Sequence, residues 1–526
     1  MSRFAWLPDF RARLQAAGID AHDVPVPAPT QSLALASADW GPAAAVAAEH
    51  GCRWAGMWAD ADAEHMRLYC VLEYAGDHLL LSGETPLTAP EFTSQTPHYP
   101  AADRLERHAR DLFGVVFTDH PDARRWTRHR AWPETRHPLH PDASADAPAP
   151  GRTPADADYP FVPLQGNGVF EIPVGPVHAG IIEPGHFRFH AAGEPVLRLE
   201  ERLGYVHKGI EHLAVGRDPA ALARLAARVS GDSAVAHAWA ACQAMEHAVA
   251  ARVPPRALAL RGLLAERERV ANHLGDIGAI CNDVGFAFAH LQTARLRERW
   301  QRRNRDCFGH RLLMDSMVPG GVARDLGAAQ IATLGADHTA LRRELTPLFD
   351  ILDDHPPLED RLVGTGVLSA EDAKALGCVG YMGKASGQSF DLRRDAPYAP
   401  YDELQVTAVA ETEGDVAARV RVRMAELLDS LDLMDRLLDT LPGGEIVAEL
   451  PAAAPGAQGL GLVEGWRGET LAWVRFGDEG HIARYFPRDP SWFAWPALER
   501  LIHGNIVPDF PVCNKSVNGS YSGVDL

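Results

Sequence analysis

The chain has 526 residues, 46% of them hydrophobic and 23% charged, ordinary values for a soluble globular protein but too long for one simple core. Its formal charge of −19 argues against nucleic acid and against direct binding to anionic lipid, since both would repel it. Seven scattered cysteines with no C-x-x-C spacing argue against a compact cysteine-only zinc or iron–sulfur motif and read as reduced, cytosolic thiols.

At the start, MSRFAWLPDFRARLQ lacks an apolar core followed by a cleavage site, so no secretory signal is expected. No run of about 18 uncharged apolar residues exists, so no membrane span is expected and membrane association must come through partners. In the first unit, HMRLYCVLEY and HLLLSGET read as strands, and helical periodicity is not evident before PAADRLERHARDLFGVVF. That segment reads as a helix entered from a proline and closed at Gly114. Residues 139–158, rich in Pro, Ala and Asp, cannot bury enough apolar surface to offset ordering, and read as a linker. Three organisational units follow: 1–138, the linker 139–158, and 159–526.

The third unit opens with the strand-like segments GVFEIPVG, IIEPGHFRFHA and EPVLRLEERLG. Helical spacing then dominates in DPAALARLAARV, SAVAHAWAACQAMEHAVAAR, the long segment from Pro254 to Gly285, and AARVRVRMAELLDSLDLMDRLLDTL. Strand-like sequence returns in GLVEGWRGETLAWVRF and HIARYF. The expected fold is an α+β N-terminal domain followed by a mainly α domain, a helical bundle with small β-sheets at its edges.

Several segments carry a family resemblance. ERHARDLFGVVFTDHPDARRW, followed by TRHPL, resembles the signature of the small peripheral-arm subunit of complex I, the NADH:quinone oxidoreductase. GPVHAGIIEPGHFRF and LGYVHKGIEHL resemble the opening of the large catalytic subunit of complex I and of energy-converting [NiFe]-hydrogenases. GHRLLMDSMVPGGV, VGTGVLSAEDAKALG, DLRRDAPYAPYDEL, EGWRGETLAWV and RYFPRDPSWFAWPALERLIHGNIVPDF continue the likeness in the same order. A fused small-plus-large subunit of this kind is similar to the large subunit of formate hydrogenlyase. The resemblance implies a site between the N-terminal strands, one bundle helix and the C-terminal segment.

In the hydrogenase relatives the stretch RVSGDSAVAH (228–237) would read R-V-C-G-x-C-S-x-x-H, and a second C-x-x-C near the C-terminus completes four thiolates around nickel and iron. Thiols ionise near neutral pH and hold soft or borderline metals; serine hydroxyls stay protonated. Here the first pair is Ser230 and Ser233, and the second is expected at Cys513 and Ser516 in FPVCNKSVNG. One thiol among four positions argues against a nickel–iron centre. In the complex I relatives the same loop carries a tyrosine that bonds a quinone headgroup; the matching position is Gly231. His178 and His186 are the counterparts for the quinone-pocket histidine.

The pocket therefore reads as polar, from Glu183, Ser230, Asp232, Ser233, His237, Asp509, Cys513, Lys515 and Ser516, with Asp232 and Lys515 expected to pair or share in a proton relay. Each has a plainer reading. Ser230 or Ser233 suits an N-cap, His237 and His247 suit packing on a helix face, and His207 suits a helix-end backbone contact. Glu183 is a carboxylate among apolar strand residues and needs a reason. Arg297, Arg299, Arg302, Arg303 and Arg305 suit a solvated helix face, and Cys242, Cys281 and Cys307 suit small core positions. No G-x-G-x-x-G is present, so NAD contact rests on the family likeness alone.

The resulting expectation is the large subunit of a membrane-bound oxidoreductase complex on the cytoplasmic inner face of the membrane, without its own metal. The resemblance implies an iron–sulfur partner carrying a [4Fe–4S] cluster and antiporter-like integral-membrane subunits. It leaves open an acceptor-reducing pocket with quinone, a non-catalytic structural or coupling module, and an active hydrogenase.

Overall fold

In the computed structural model of the chain, residues 3–26, 30–129, 132, 135–143, 159–178 and 182–526 are described. The first unit carries helices α1 (Leu7–Ala16), α2 (Trp40–His50) and α3 (Asp103–Phe113) and strands β1 (His22–Asp23), β2 (Gln31–Ala36), β3 (Arg53–Ala61), β4 (His65–Tyr74) and β5 (Asp77–Pro86). These strands form one sheet in the order β1-β2-β5-β4-β3, antiparallel except for the β2–β5 pair. The early helices α1 and α2 correct the expectation of no helical periodicity here. In α2 the buried face is largely alanine, which gives little apolar contrast along the sequence. Helix α3 does end at Gly114, whose positive φ of 80° closes the last turn. A short parallel pair, β6 (Glu91–Thr93) and β7 (Val116–Thr118), completes the unit.

Leu139 is not linker-like: its N–H donates to Leu112 O at 2.9 Å and its side chain packs against the core. Residues 144–158 of the expected linker lie outside the described residues.

An antiparallel sheet β10-β9-β8 follows, from β8 (Val169–Val174), β9 (His186–Ala192) and β10 (Val196–Arg202). Helices α4 (Ile210–Ala214), α5 (Pro219–Ala226), α6 (Ala234–Ala248), α7 (Pro255–Asp283) and α8 (Ala287–Phe308) come next. The hairpin β11 (Met317–Val318) and β12 (Gly321–Val322) leads to α9 (Ala328–Asp353). Four short helices, α10 (Pro356–Leu362), α11 (Ala370–Ala375), α12 (Gly380–Ala385) and α13 (Leu392–Asp395), precede the long α14 (Val416–Asp439). The chain closes through β13 (Gln458–Gly465), β14 (Gly468–Phe476), β15 (Ile482–Arg488), α15 (Ser491–Leu501), α16 (Phe510–Val517) and α17 (Tyr521–Asp525).

Helix α7 is the axis of the large unit, buried on nearly every face and packed against α8 and α14. Burial extends even to the run Glu266–Arg269, whose charges are only partly compensated inside the protein. Glu266 accepts from Arg393, Tyr401 and Ser430, and Lys384 bridges Asp391 at 2.6 Å and Glu426 at 2.7 Å. Helix α6 carries the β13-β14-β15 sheet. A Cβ on Gly461 would sit 2.0 Å from Ala240 O, so only glycine lets the strand lie this close to the helix.

The same sheet joins the two units. Trp58 of β3 stacks on Phe486 of β15 and meets Trp473 of β14, while Arg475 makes two 2.7 Å bonds to Asp60. Strands β3 and β4 are thus covered on both faces, which explains their almost unbroken burial.

Candidate functional site

The Ser230 loop joins α5 to α6 and is fixed from outside by Lys208, whose ammonium donates to Arg228 O and Val229 O at 2.8 and 2.7 Å. Across from it comes the C-terminal segment. The Ser230 hydroxyl lies 2.7 Å from that of Ser520, 290 residues away, and donates to Asp232 Oδ1 at 2.8 Å. Asp232 is held by both terminal nitrogens of Arg467, each at 2.7 Å. Arg467 also donates to Ser233 Oγ at 3.1 Å and to Asn518 O at 2.8 Å, and Trp466 Nε1 donates to Ser233 Oγ at 3.0 Å. Desolvation opposes the charge of Asp232, but Arg467 outweighs it and keeps the carboxyl below its ordinary range.

Behind this layer, buried His237 meets the Asp489 carboxylate at 2.8 Å. Burial works against that carboxylate too, yet His237, Arg467 and the Ser491 side hold it well below the usual range. Ser491 Oγ accepts from Ser520 N at 2.8 Å, and Ser520 Oγ accepts from Gly523 N at 2.9 Å. Asp525 accepts from Gly204 N and Val206 N at 2.7 and 3.0 Å; burial pushes its carboxyl up to about 7.

This geometry corrects the register of the second loop. Ser520 faces the first loop, and Gly523 follows it at the spacing that separates Ser230 from Ser233. Cys513 and Ser516 lie one helix earlier, on α16, where Ser516 Oγ accepts from Arg419 and a Cβ on Gly366 would meet the Cys513 sulfur at 2.7 Å. Cys513 holds the sole thiol of the segment, but it is a buried packing residue whose thiol burial pushes up to about 12. Gly523 has no room for a side chain, since its Cβ would lie 2.7 Å from Asp489 Cγ.

The expected Asp232–Lys515 pair does not form, because Arg467 occupies both oxygens of Asp232 and Lys515 acts instead on Asp283. Asp509 bonds Arg361 at 3.0 Å, near the surface. Neither serine caps α6: the Ser233 side chain accepts no backbone N–H, and Glu268 of α7 accepts Val235 N and Ala236 N at 2.7 and 3.2 Å. His207 Nδ1 lies 2.6 Å from Asp525 O and His247 Nδ1 lies 2.7 Å from Leu460 O, both backbone contacts. Glu183 accepts Ser522 N at 3.0 Å, which ties the strand loop to the C-terminal segment and supplies the reason for its charge there.

Of the two histidines on the strand loop, His186 lies against Phe161 and receives a bond from Arg188 at 3.4 Å. His178 is half-buried, its ring edge-on to Phe187 and 6.4 Å from the Tyr521 ring. Among the described residues, His178 Nε2 is buried with no hydrogen-bond partner, and the buried Tyr521 Oη has the Asn514 side chain beside it. A Cβ on Gly185 would sit 2.5 Å from the Tyr521 ring, so glycine there makes room for it. Burial keeps the phenol protonated. The sequence alone does not single out Tyr521, Arg467, Asp489, Ser520 or Glu268. For Arg467 the one signal is its place inside the motif EGWRGET.

Comparison with known proteins places these observations in a family. Residues 35–149 match the 30 Kd subunit of respiratory-chain NADH dehydrogenase, 283–459 match its 49 Kd subunit, and 208–275 match nickel-dependent hydrogenase. Formate hydrogenlyase subunit 5 of Escherichia coli is 34% identical over 84% of this chain and 78% of its own length. The C/D subunit of the Bacteroides fragilis NADH-quinone oxidoreductase is 30% identical over 72% of this chain and 75% of its own. A chain from the structure of the membrane-bound sulfane sulfur reductase, an archaeal respiratory membrane complex, superposes with a TM-score of 0.64 at 27% identity, covering 68% of this chain and 99% of that one. With serines at the first nickel-loop pair, the chain belongs to the family of fused small and large subunits shared by complex I and the energy-converting hydrogenases, formate hydrogenlyase among them.

Proposed function

We propose that this chain is the large subunit of a membrane-bound respiratory-type oxidoreductase complex and that it works without a nickel–iron centre. One observation carries the reading. The two loops that would offer four thiolates in a hydrogenase carry Ser230, Ser233, Ser520 and Gly523 instead, with the Ser230 and Ser520 hydroxyls 2.7 Å apart and the Arg467–Asp232 pair beside them. Protonated hydroxyls and a glycine do not fit a soft-metal centre. An active hydrogenase is the least supported alternative.

The unpartnered His178 Nε2 and the Tyr521 phenol, their rings 6.4 Å apart, support an acceptor-reducing pocket. Tyr521 Oη can donate to the oxygen of a carbonyl-type acceptor such as a quinone and supplies from the C-terminal segment the phenol that Gly231 lacks; His178, whose Nδ1 faces Pro176 O at 3.2 Å, can donate from Nε2 only as the imidazolium. A quinone would take two electrons and two protons; the electrons would come from an iron–sulfur partner subunit. Among the described residues no helix is long and apolar enough to cross a membrane, and no group of three or more His, Cys, Asp or Glu is arranged to hold a metal. Docking onto integral-membrane subunits at the inner face belongs to the same reading, supported by the similarity to a chain of an archaeal respiratory membrane complex. The test is quinone-analogue reduction by the purified complex, which His178→Ala and Tyr521→Phe should each slow about tenfold or more. Unchanged turnover in both variants would leave the non-catalytic coupling module as the function.

A further inference from the structure

Glu268 is buried on α7 and has no cation within ion-pair distance among the described residues. Its two oxygens face only the backbone N–H groups of Val235 and Ala236. Of the charged groups around it, Arg267 on the same helix donates to Asn304 Oδ1 at 2.6 Å and lies over the Trp300 ring, its terminal nitrogens without a hydrogen-bond partner among the described residues; the others are engaged elsewhere. On its own helix, Arg269 donates to Glu266 and to the carbonyls of Glu464 and Gly465. On the loop before α6, Asp232 adds a negative charge and is neutralised by Arg467. On the side of α8, the neighbours are the neutral Gln301 and Asn304, and Arg311 beyond them bonds Glu298 and Gln301.

Glu268 also lines a cavity of about 10 Å³, room for about one water, between Asp232, Asn272, Gln301, Asn304 and Arg311. Its inner wall is buried; at its outer end Gly231 and Arg311 are exposed. A buried carboxylate without a counter-ion, beside a polar cavity that reaches the surface, is a group that gains and loses a proton readily.

We propose that Glu268 is the proton-exchanging group of this site, with the polar cavity as its route to solvent. The carboxylate takes H⁺ from a water in the cavity and returns it the same way, so the charge behind the Asp232–Arg467 pair changes by one. Burial and the nearby Asp232 push Glu268 up to about 8, within reach of ordinary pH changes. The proposal deepens the reading of a redox or coupling site, which needs a proton supply, and rests on that reading for its use.

The experiment is infrared titration of the purified complex, in which no electron acceptor is needed. A protonated carboxylic-acid band should vanish as pH rises through about 8, be absent in Glu268→Gln, and shift at once in D₂O. Asp232→Asn should move its midpoint to lower pH, and Gln301→Leu should slow the deuterium shift. A spectrum in which Glu268→Gln removes no titrating band, or in which Asp232→Asn leaves every midpoint in place, overturns the proposal. A titrating Glu268 in a complex that reduces no acceptor would instead count against the acceptor pocket alone.

Discussion

Arg467 grips Asp232 with two 2.7 Å bonds at the place where the family's first nickel loop meets its second. A guanidinium fork on a carboxylate is a strong, geometrically specific pair. It gives the site a charge balance of its own.

Removing one partner exposes that balance. Arg467→Met should destabilise the protein by about 1–2 kcal/mol, less than the 3–5 of a fully buried pair because Asp232 is 35% exposed. Adding Asp232→Asn should recover part of the loss. A denaturant double-mutant cycle with no coupling between the two would contradict the pairing.

Deeper in the bundle, the cost is larger. Lys384 is the shared cation of Asp391 and Glu426, all buried, so Lys384→Met leaves two carboxylates with less compensation. The expected loss is about 3–5 kcal/mol in denaturant unfolding. A change below about 1 kcal/mol would show that the network tolerates the missing charge.

Asp525 gives a pH dependence of known sign. Its folded value of about 7 lies above the ordinary 3.8, so the folded state binds more protons than the unfolded state between these values. Stability from this group is full below about pH 4 and falls as pH rises toward 7. Asp525→Asn should flatten that part of the melting-temperature profile. Asp489 works in the opposite sense: its depressed value contributes stability above its ordinary 3.8 that is lost as pH falls. Asp489→Asn should therefore lower the melting temperature at neutral pH and converge with the parent in acid.

The long helices α6, α7 and α14 are legible from apolar spacing, and so are the strands of the closing sheet. The first loop is legible as well, because Ser230 and Ser233 sit in a frame whose spacing survives. Its partner is not. Nothing local distinguishes Ser520 from Ser516; α16 ends at Asn518 in a left-handed turn, and this tertiary register brings Ser520 to the loop. Cys513 attracts the assignment by its sulfur alone. Arg467 and Asp489 escape notice for a related reason: a charge beside a strand reads as solvent-facing until its partner across the fold is known. Glu268 is hidden in a run of four charged residues that resembles a solvated helix face and is in fact buried.

Restoring sulfur should meet a steric limit. Gly523→Cys must place a Cβ 2.7 Å from Asp489 Cγ, so it should destabilise the fold by about 1–3 kcal/mol, while Ser230→Cys and Ser520→Cys should be milder. Thermal unfolding of the three single variants checks this order; an equally stable Gly523→Cys would contradict it.

The most direct test is nickel content together with hydrogen turnover in the intact complex, purified from nickel-replete cells. Hydroxyls and glycine at 230, 233, 520 and 523 predict no stoichiometric nickel and neither evolution nor uptake of hydrogen. One nickel per chain with hydrogen turnover would contradict the account.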